Sequence, residues 1–167
     1  YWVRDVEHCE MDKRGKGYVI FSANGMNCAN MGRVASSMDG SISEEDPYNI
    51  HYFRIDLDGK HLVVLTPEQA NHHATFSKGK EAFIDTYSSI GQPPVTVLRS
   101  ASSGRLIATL ERADISRLLQ AGWKAPEVFV APGRDGKTDM WGLIQRPSNF
   151  DPSKKYPVIE YIYSGPG

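Results

Sequence analysis

Through much of the chain apolar residues recur at every second position, the period of a strand with one face covered. In "HYFRIDL", Phe53, Ile55 and Leu57 fall on one face and Arg54 and Asp56 on the other. A tight turn at Asp58-Gly59 follows, and "HLVVLT" is predicted to return as the paired strand until Pro67 ends it. The hairpin recurs. "VTVLRS" runs into a turn at Ser103-Gly104 and comes back as "RLIATLE", with Gly104 45 residues after Gly59. The element ahead of each hairpin recurs too, as "DVEHCEMD…KGYVIFSA" and then "NHHATFSKGKEAFIDTYSS", each a strand, a Gly/Lys turn and a second strand. Two units of four short strands at this spacing match the period of roughly 40–45 residues of β-propeller blades. The predicted fold class is therefore mainly β, with two four-stranded antiparallel β-propeller-type blades over about 1–68 and 69–111. A small sandwich of the same strands is the alternative. The first unit carries an insertion, "NGMNCANMGRVASSMDGSISEEDPYN", whose weak periodicity predicts a surface loop.

After Glu111 the period changes. In "ADISRLLQAGW", Asp114 is placed as an N-cap, Ile115, Leu118 and Leu119 share one helical face, and Gly122 terminates, which predicts a short linking helix within 112–125. Beyond Pro126 come "EVFVAP", the turn "GRDGKTD", "MWGLIQRP" and the loop "SNFDPSKK". Tyr156 to Tyr163 then reads as a buried strand in which only Glu160 is charged, followed by the turn chemistry of Ser164-Gly165-Pro166-Gly167. A hairpin followed by a strongly apolar strand predicts the entry to an α/β sheet over 126–167.

Composition narrows the function classes. At 167 residues, 40% hydrophobic and 23% charged, the chain has room for one domain or pieces of two. A formal charge of −1 with scattered Lys and Arg argues against a nucleic-acid partner. No apolar run approaches the roughly 20 residues of a membrane span, and "YWVRDVEHCE" has no signal-peptide core. Cys9 and Cys28 form neither a disulfide framework nor a zinc pattern; one bridge or two separate thiols are both open.

Three phrases carry more than pattern: "DPYNIHYFRIDLDGKHLVVLTPE", "DGKTDMWGLIQRP" and "KKYPVIEYIYSGPG". With the order of blade, blade, short helix and hairpin, they resemble the dipeptidyl peptidase IV branch of the prolyl oligopeptidase family of serine peptidases. In that family a β-propeller precedes an α/β-hydrolase domain. The resemblance covers nearly the whole chain and is weakest from Tyr1 to Glu45. It implies the last propeller blades and the first hydrolase strands of an enzyme that removes N-terminal dipeptides with Pro or Ala second, in a periplasmic or secreted setting. No cofactor and no metal are expected. The partner the resemblance implies is a peptide substrate, and the uncovered sheet edges and faces of such a piece predict a homodimer or strand-exchanged oligomer. No Gly-x-Ser-x-Gly elbow occurs in the chain, and its last histidine is His73, ahead of the hydrolase portion. The chain is therefore expected to be an inactive piece of a longer peptidase. A non-enzymatic propeller-type binding module is the rival reading.

By the same resemblance Tyr163 is the candidate catalytic residue. The tyrosine of the "Tyr-x-Gly-Pro" turn donates its phenol to the oxyanion of the tetrahedral intermediate, and a phenol of pKa ~10 is protonated for that task at neutral pH. Without the family, Tyr163 is a strand-end aromatic that packs. Glu44-Glu45 invites comparison with the family's amine-binding glutamate pair, but that pair precedes the region represented here, and a solvated loop is the expectation. Of His8, His51, His61, His72 and His73, the adjacent pair points to opposite faces of a strand, so no shared metal is expected. Ser88-Ser89 and Ser102-Ser103 read as residues in or beside turns, with no base spaced to activate them.

Overall fold

A computed structural model describes residues 2–24 and 46–162. Among the described residues, ten strands and one short helix follow in chain order. The first four are β1 (Trp2–Met11), β2 (Gly17–Asn24), β3 (Ile50–Asp56) and β4 (Val63–Val64). They form one antiparallel sheet in sequential order, with Phe21 opposite Phe53 and Phe53 opposite Val64. A second four-stranded antiparallel sheet holds β5 (Asn71–Phe76), β6 (Ala82–Ser89), β7 (Gln92–Ser100) and β8 (Leu106–Arg112), again in sequential order. After the helix α1 (Ser116–Gln120), β9 (Glu127–Pro132) and β10 (Asp139–Ile144) pair alone.

The turns are set by local chemistry. Asp12 Oδ1 accepts the backbone N–H groups of Arg14 and Lys16 and closes the β1–β2 turn. Asp135 does the same between β9 and β10, accepting from the N–H groups of Lys137 and Thr138 and from the Thr138 hydroxyl at 2.6 Å. These bonds, the hydroxyl first, hold the Asp135 carboxyl down at about 2. Gly104 meets two demands at once. Its φ is +69°, and a Cβ there would stand 2.7–2.8 Å from backbone atoms of Val64 and Leu65. The tip of the β7–β8 hairpin thus rests directly on the end of the first sheet.

The core lies between the two sheets. Ile20, Tyr52 and Leu65 from the first sheet and its exit pack with Phe83 and Ala101 from the second. A smaller cluster of Ala70, Tyr87, Val95 and Val97 fills the second sheet's own inner face. Strand β3 departs from the one-sided burial expected of it: His51, Tyr52 and Phe53 are all buried. Tyr52 faces the core between the sheets while Phe53 stacks on Phe21 at 5.4 Å on the other face.

Three expectations need correction. The returning strand "HLVVLT" shrinks to Val63–Val64, because His61 adopts φ 53° and breaks the extended run. The linking helix spans one turn and a half and buries no residue; Leu118 and Leu119 are exposed. Its N-cap is Ile115, without a side-chain capping bond, and not Asp114 as expected; Asp114 lies one residue earlier and accepts the Ser116 N–H at 2.8 Å, and Gly122 follows the helix with φ +85°. The strand expected over Tyr156–Tyr163 is absent across its described residues, where Val158 and Ile159 are 90% and 94% exposed. A strand exists only with a hydrogen-bonded neighbour, and no neighbour lies beside 157–162 among the described residues. Tyr156 itself is held, its hydroxyl accepting the Asp151 N–H at 3.0 Å and its ring 5.2 Å from Phe150.

Candidate functional site

Period-2 alternation sends His72 of β5, Asp85 of β6 and Arg99 of β7 to the same buried face. Asp85 is directly opposite Ala74 on one side and Val97 on the other, so His72 and Arg99 are its diagonal neighbours. Their side chains meet. His72 Nδ1 lies 2.9 Å from Asp85 Oδ1, and Arg99 Nε donates to Asp85 Oδ2 at 2.9 Å. Both His72 and Asp85 side chains are 0% exposed.

The link between the sheets completes the group. Arg99 donates from a terminal nitrogen to Glu68 Oε1 at 2.6 Å and from the other to the Gly104 carbonyl at 3.1 Å. Glu68 in turn offers its backbone carbonyl to His72 Nε2 at 2.9 Å. Burial opposes the charge on Arg99, but the bonds from Glu68 and then Asp85 outweigh it and raise its pKa. From the first sheet, the His51 ring approaches His72 at 5.1 Å while its Nδ1 bonds the Thr66 carbonyl at 2.9 Å. Tyr87 lies 5.1 Å from His72 on the other side, its phenol pushed up by burial and secondarily by the Glu68 charge.

A histidine on a buried carboxylate is half of a nucleophile-activating pair, and nucleophilic chemistry needs a hydroxyl or thiol on the free nitrogen. Here that nitrogen is spent on a backbone carbonyl. Glu68, His72 and Asp85 also bring potential ligand atoms within 4.8 Å of one another. The donor set does not fit a divalent ion, because the Arg99 guanidinium already bridges both carboxylates and puts a fixed positive charge where the ion would sit. What this group can do is bind the β7–β8 hairpin, the sheet-to-sheet link and the inner face of β5–β6 into one body.

A cleft of about 590 Å³ opens at the far end of the second sheet, lined by Tyr48, Asn49, Gln69, Asn71, Ser88 and Trp141 among others. Asn71 is committed there, its side-chain oxygen accepting the Ile50 N–H at 3.0 Å.

Of the residues singled out from sequence, Tyr163, Glu44, Glu45 and Cys28 lie outside the described residues. Cys9 is exposed. His72 and His73 do face opposite ways, one buried and one exposed. His61 pairs with Asp56 at 2.9 Å on the surface, and His8 stands 3.7 Å from Glu10. Ser102 bonds Ser100 at 2.9 Å and Ser103 accepts the Arg105 N–H at 3.4 Å, which are turn contacts. The four-residue charged group was not singled out from sequence. The available signal was a charged residue on the inward phase of each alternating strand: Asp85 between Phe83 and Tyr87, and Arg99 two beyond Val97.

No protein-family model matches the chain. A protein named probable dipeptidyl-aminopeptidase B, from Neosartorya fischeri, is 30% identical over 131 residues, which cover 75% of this chain and 14% of the relative. A protein of the same name from Ajellomyces dermatitidis is 30% identical over 130 residues, with the same 75% and 14% coverage. The chain thus spans 14% of the length of the curated relatives it matches. Among solved structures, Porphyromonas gingivalis dipeptidyl peptidase 4 shares the fold with a TM-score of 0.63 at 22% identity, over 93% of this chain and 19% of that one. The sequence phrases and these relatives agree, and at 30% identity over 75% of the chain they support the dipeptidyl peptidase IV-like family for it.

Proposed function

We propose that these residues work within a serine-type dipeptidyl peptidase that releases dipeptides from peptide N-termini, with Pro or Ala in the second position, by acyl transfer. The observation that carries the reading is the 30% identity over 131 residues to a dipeptidyl-aminopeptidase B. In this reading residues 1–68 and 69–111 are neighbouring propeller blades, 112–125 joins them to the next domain, and 126–167 begins an α/β-hydrolase sheet. Tyr163 donates its phenolic O–H to the oxyanion, where one preorganised donor supplies a factor of about 10²–10³ in turnover. The nucleophile and base lie outside these 167 residues, which contain no Gly-x-Ser-x-Gly and no histidine after His73. Family resemblance sets the location as periplasmic or secreted. The exposed run at Val158, Ile159, Tyr161 and Ile162 supports strand exchange or self-association of the isolated chain, which light scattering reads directly.

The test compares a longer protein carrying this segment with the 167-residue chain on a Gly-Pro chromogenic amide. Dipeptide release by the longer protein, lost when the substrate amine is acetylated, and none by the chain alone are expected. Turnover by the pure chain that a serine-directed phosphonate blocks would overturn the assignment of roles. Failure of the longer protein to cleave would leave the rival binding-module reading in its place.

A further inference from the structure

The partners of His72 set a condition on its proton count. Its Nδ1 lies 2.9 and 3.1 Å from the two carboxylate oxygens of Asp85, and its Nε2 lies 2.9 Å from the Glu68 carbonyl oxygen. A carbonyl oxygen only accepts, and a carboxylate that takes an N–H from Arg99 is held in its ionised, accepting form. A neutral imidazole has a single N–H, so either tautomer would set a bare nitrogen lone pair against an oxygen lone pair at hydrogen-bond distance. Turning the ring over would place carbon atoms there and lose both bonds. Two N–H groups satisfy both contacts.

Asp85, wholly buried, sets a negative charge against Arg99, and Glu68, whose side chain is 36% exposed, adds a second beside them, so a positive charge on His72 has net negative surroundings. We infer that His72 is carried as an imidazolium in the folded chain and acts as a charged pin between the two four-stranded sheets. The pin spans them because its contacts come from both. Asp85 and Tyr87 face it from β6, Arg99 from β7 through Asp85, Glu68 from the link, and His51 from β3 of the first sheet. The buried Tyr87 phenol, raised above its ordinary range, stays neutral beside it.

Histidine-selective ¹⁵N labelling of the 167-residue chain and two-bond ¹H–¹⁵N correlation spectra at pH 7.5 read the ring directly. Both His72 nitrogens are expected at the protonated position. A bare-nitrogen resonance on His72 in the folded chain at pH 7.5 overturns the inference.

Discussion

Replacing Asp85 by Asn changes almost no volume and removes one charge from a wholly buried position. Asp85 is 0% exposed and accepts hydrogen bonds from Arg99 at 2.9 Å and from His72 at 2.9 and 3.1 Å. The amide that replaces it keeps one acceptor oxygen and turns an NH₂ donor toward one of the two donors it formerly satisfied. Glu68, whose side chain is 36% exposed, is then the one remaining carboxylate against Arg99 and His72. Removing one partner from a buried charged pair costs about 3–5 kcal/mol. For a chain of this length, about 2–4 °C per kcal/mol converts that into a fall in Tm of about 6–20 °C. Urea unfolding followed by circular dichroism gives the free energy, and an unchanged denaturant slope ties it to stability. Asp58→Asn is the control: that carboxylate is exposed, stands 3.9 Å from Lys60, and is expected to change stability by no more than about 0.5 kcal/mol. The double variant Asp85→Asn with His72→Gln should lose less than the sum of the single losses, because the second change removes the cation that the first one stranded. A loss below about 1 kcal/mol for Asp85→Asn, or full additivity in the double variant, would refute the buried ionic group as a unit.

Two further outcomes follow from local geometry. Gly104→Ala should be more destabilising than Gly59→Ala by about 1–3 kcal/mol in denaturant unfolding, since both have positive φ but only Gly104 abuts the Val64–Leu65 backbone; equal losses would contradict the contact between the hairpin tip and the first sheet. The Asp135 carboxyl should titrate at about 2 by carbon-13 NMR, with its turn fully stabilised above pH ~3.9 and loosened as pH falls from there through about 2; a midpoint near the ordinary 3.8 would contradict the three hydrogen bonds it accepts.

Alternation, turn glycines and the repeat made both groups of four strands legible, because each of those signals is local. Asp58-Gly59 and Ser103-Gly104 form turns where the sequence marks them, with φ +78° and +69° at the glycines. Burial was less legible, since it depends on what covers a face. Tyr52 and Phe53 have opposite phases; Tyr52 packs in the core between the sheets and Phe53 stacks on Phe21, and neither cover is visible in the local sequence. The same limit hid the charged group: His72 reads as a strand histidine until Asp85 and Glu68 arrive from 13 positions later and 4 positions earlier. The apolar run of 157–162 has the composition of a core strand, but composition supplies neither hydrogen-bonded neighbour, and its side chains lie open to solvent. The elbow and the late histidine that the proposed serine chemistry would use are not in the 167 residues, so the candidate chemistry rests on the phrase "YSGP" and on the relatives.

Tyr163→Phe in a longer dipeptidyl peptidase carrying this segment is the most direct measurement. The change keeps the aromatic ring and deletes one O–H, so it separates packing from donation to the oxyanion. Turnover of a Gly-Pro chromogenic amide should fall by about 10²–10³, with KM and Tm nearly unchanged, as expected of a donor used only in the transition state. Near-normal turnover, or a loss that tracks a falling Tm, would contradict the oxyanion role and return Tyr163 to a packing residue.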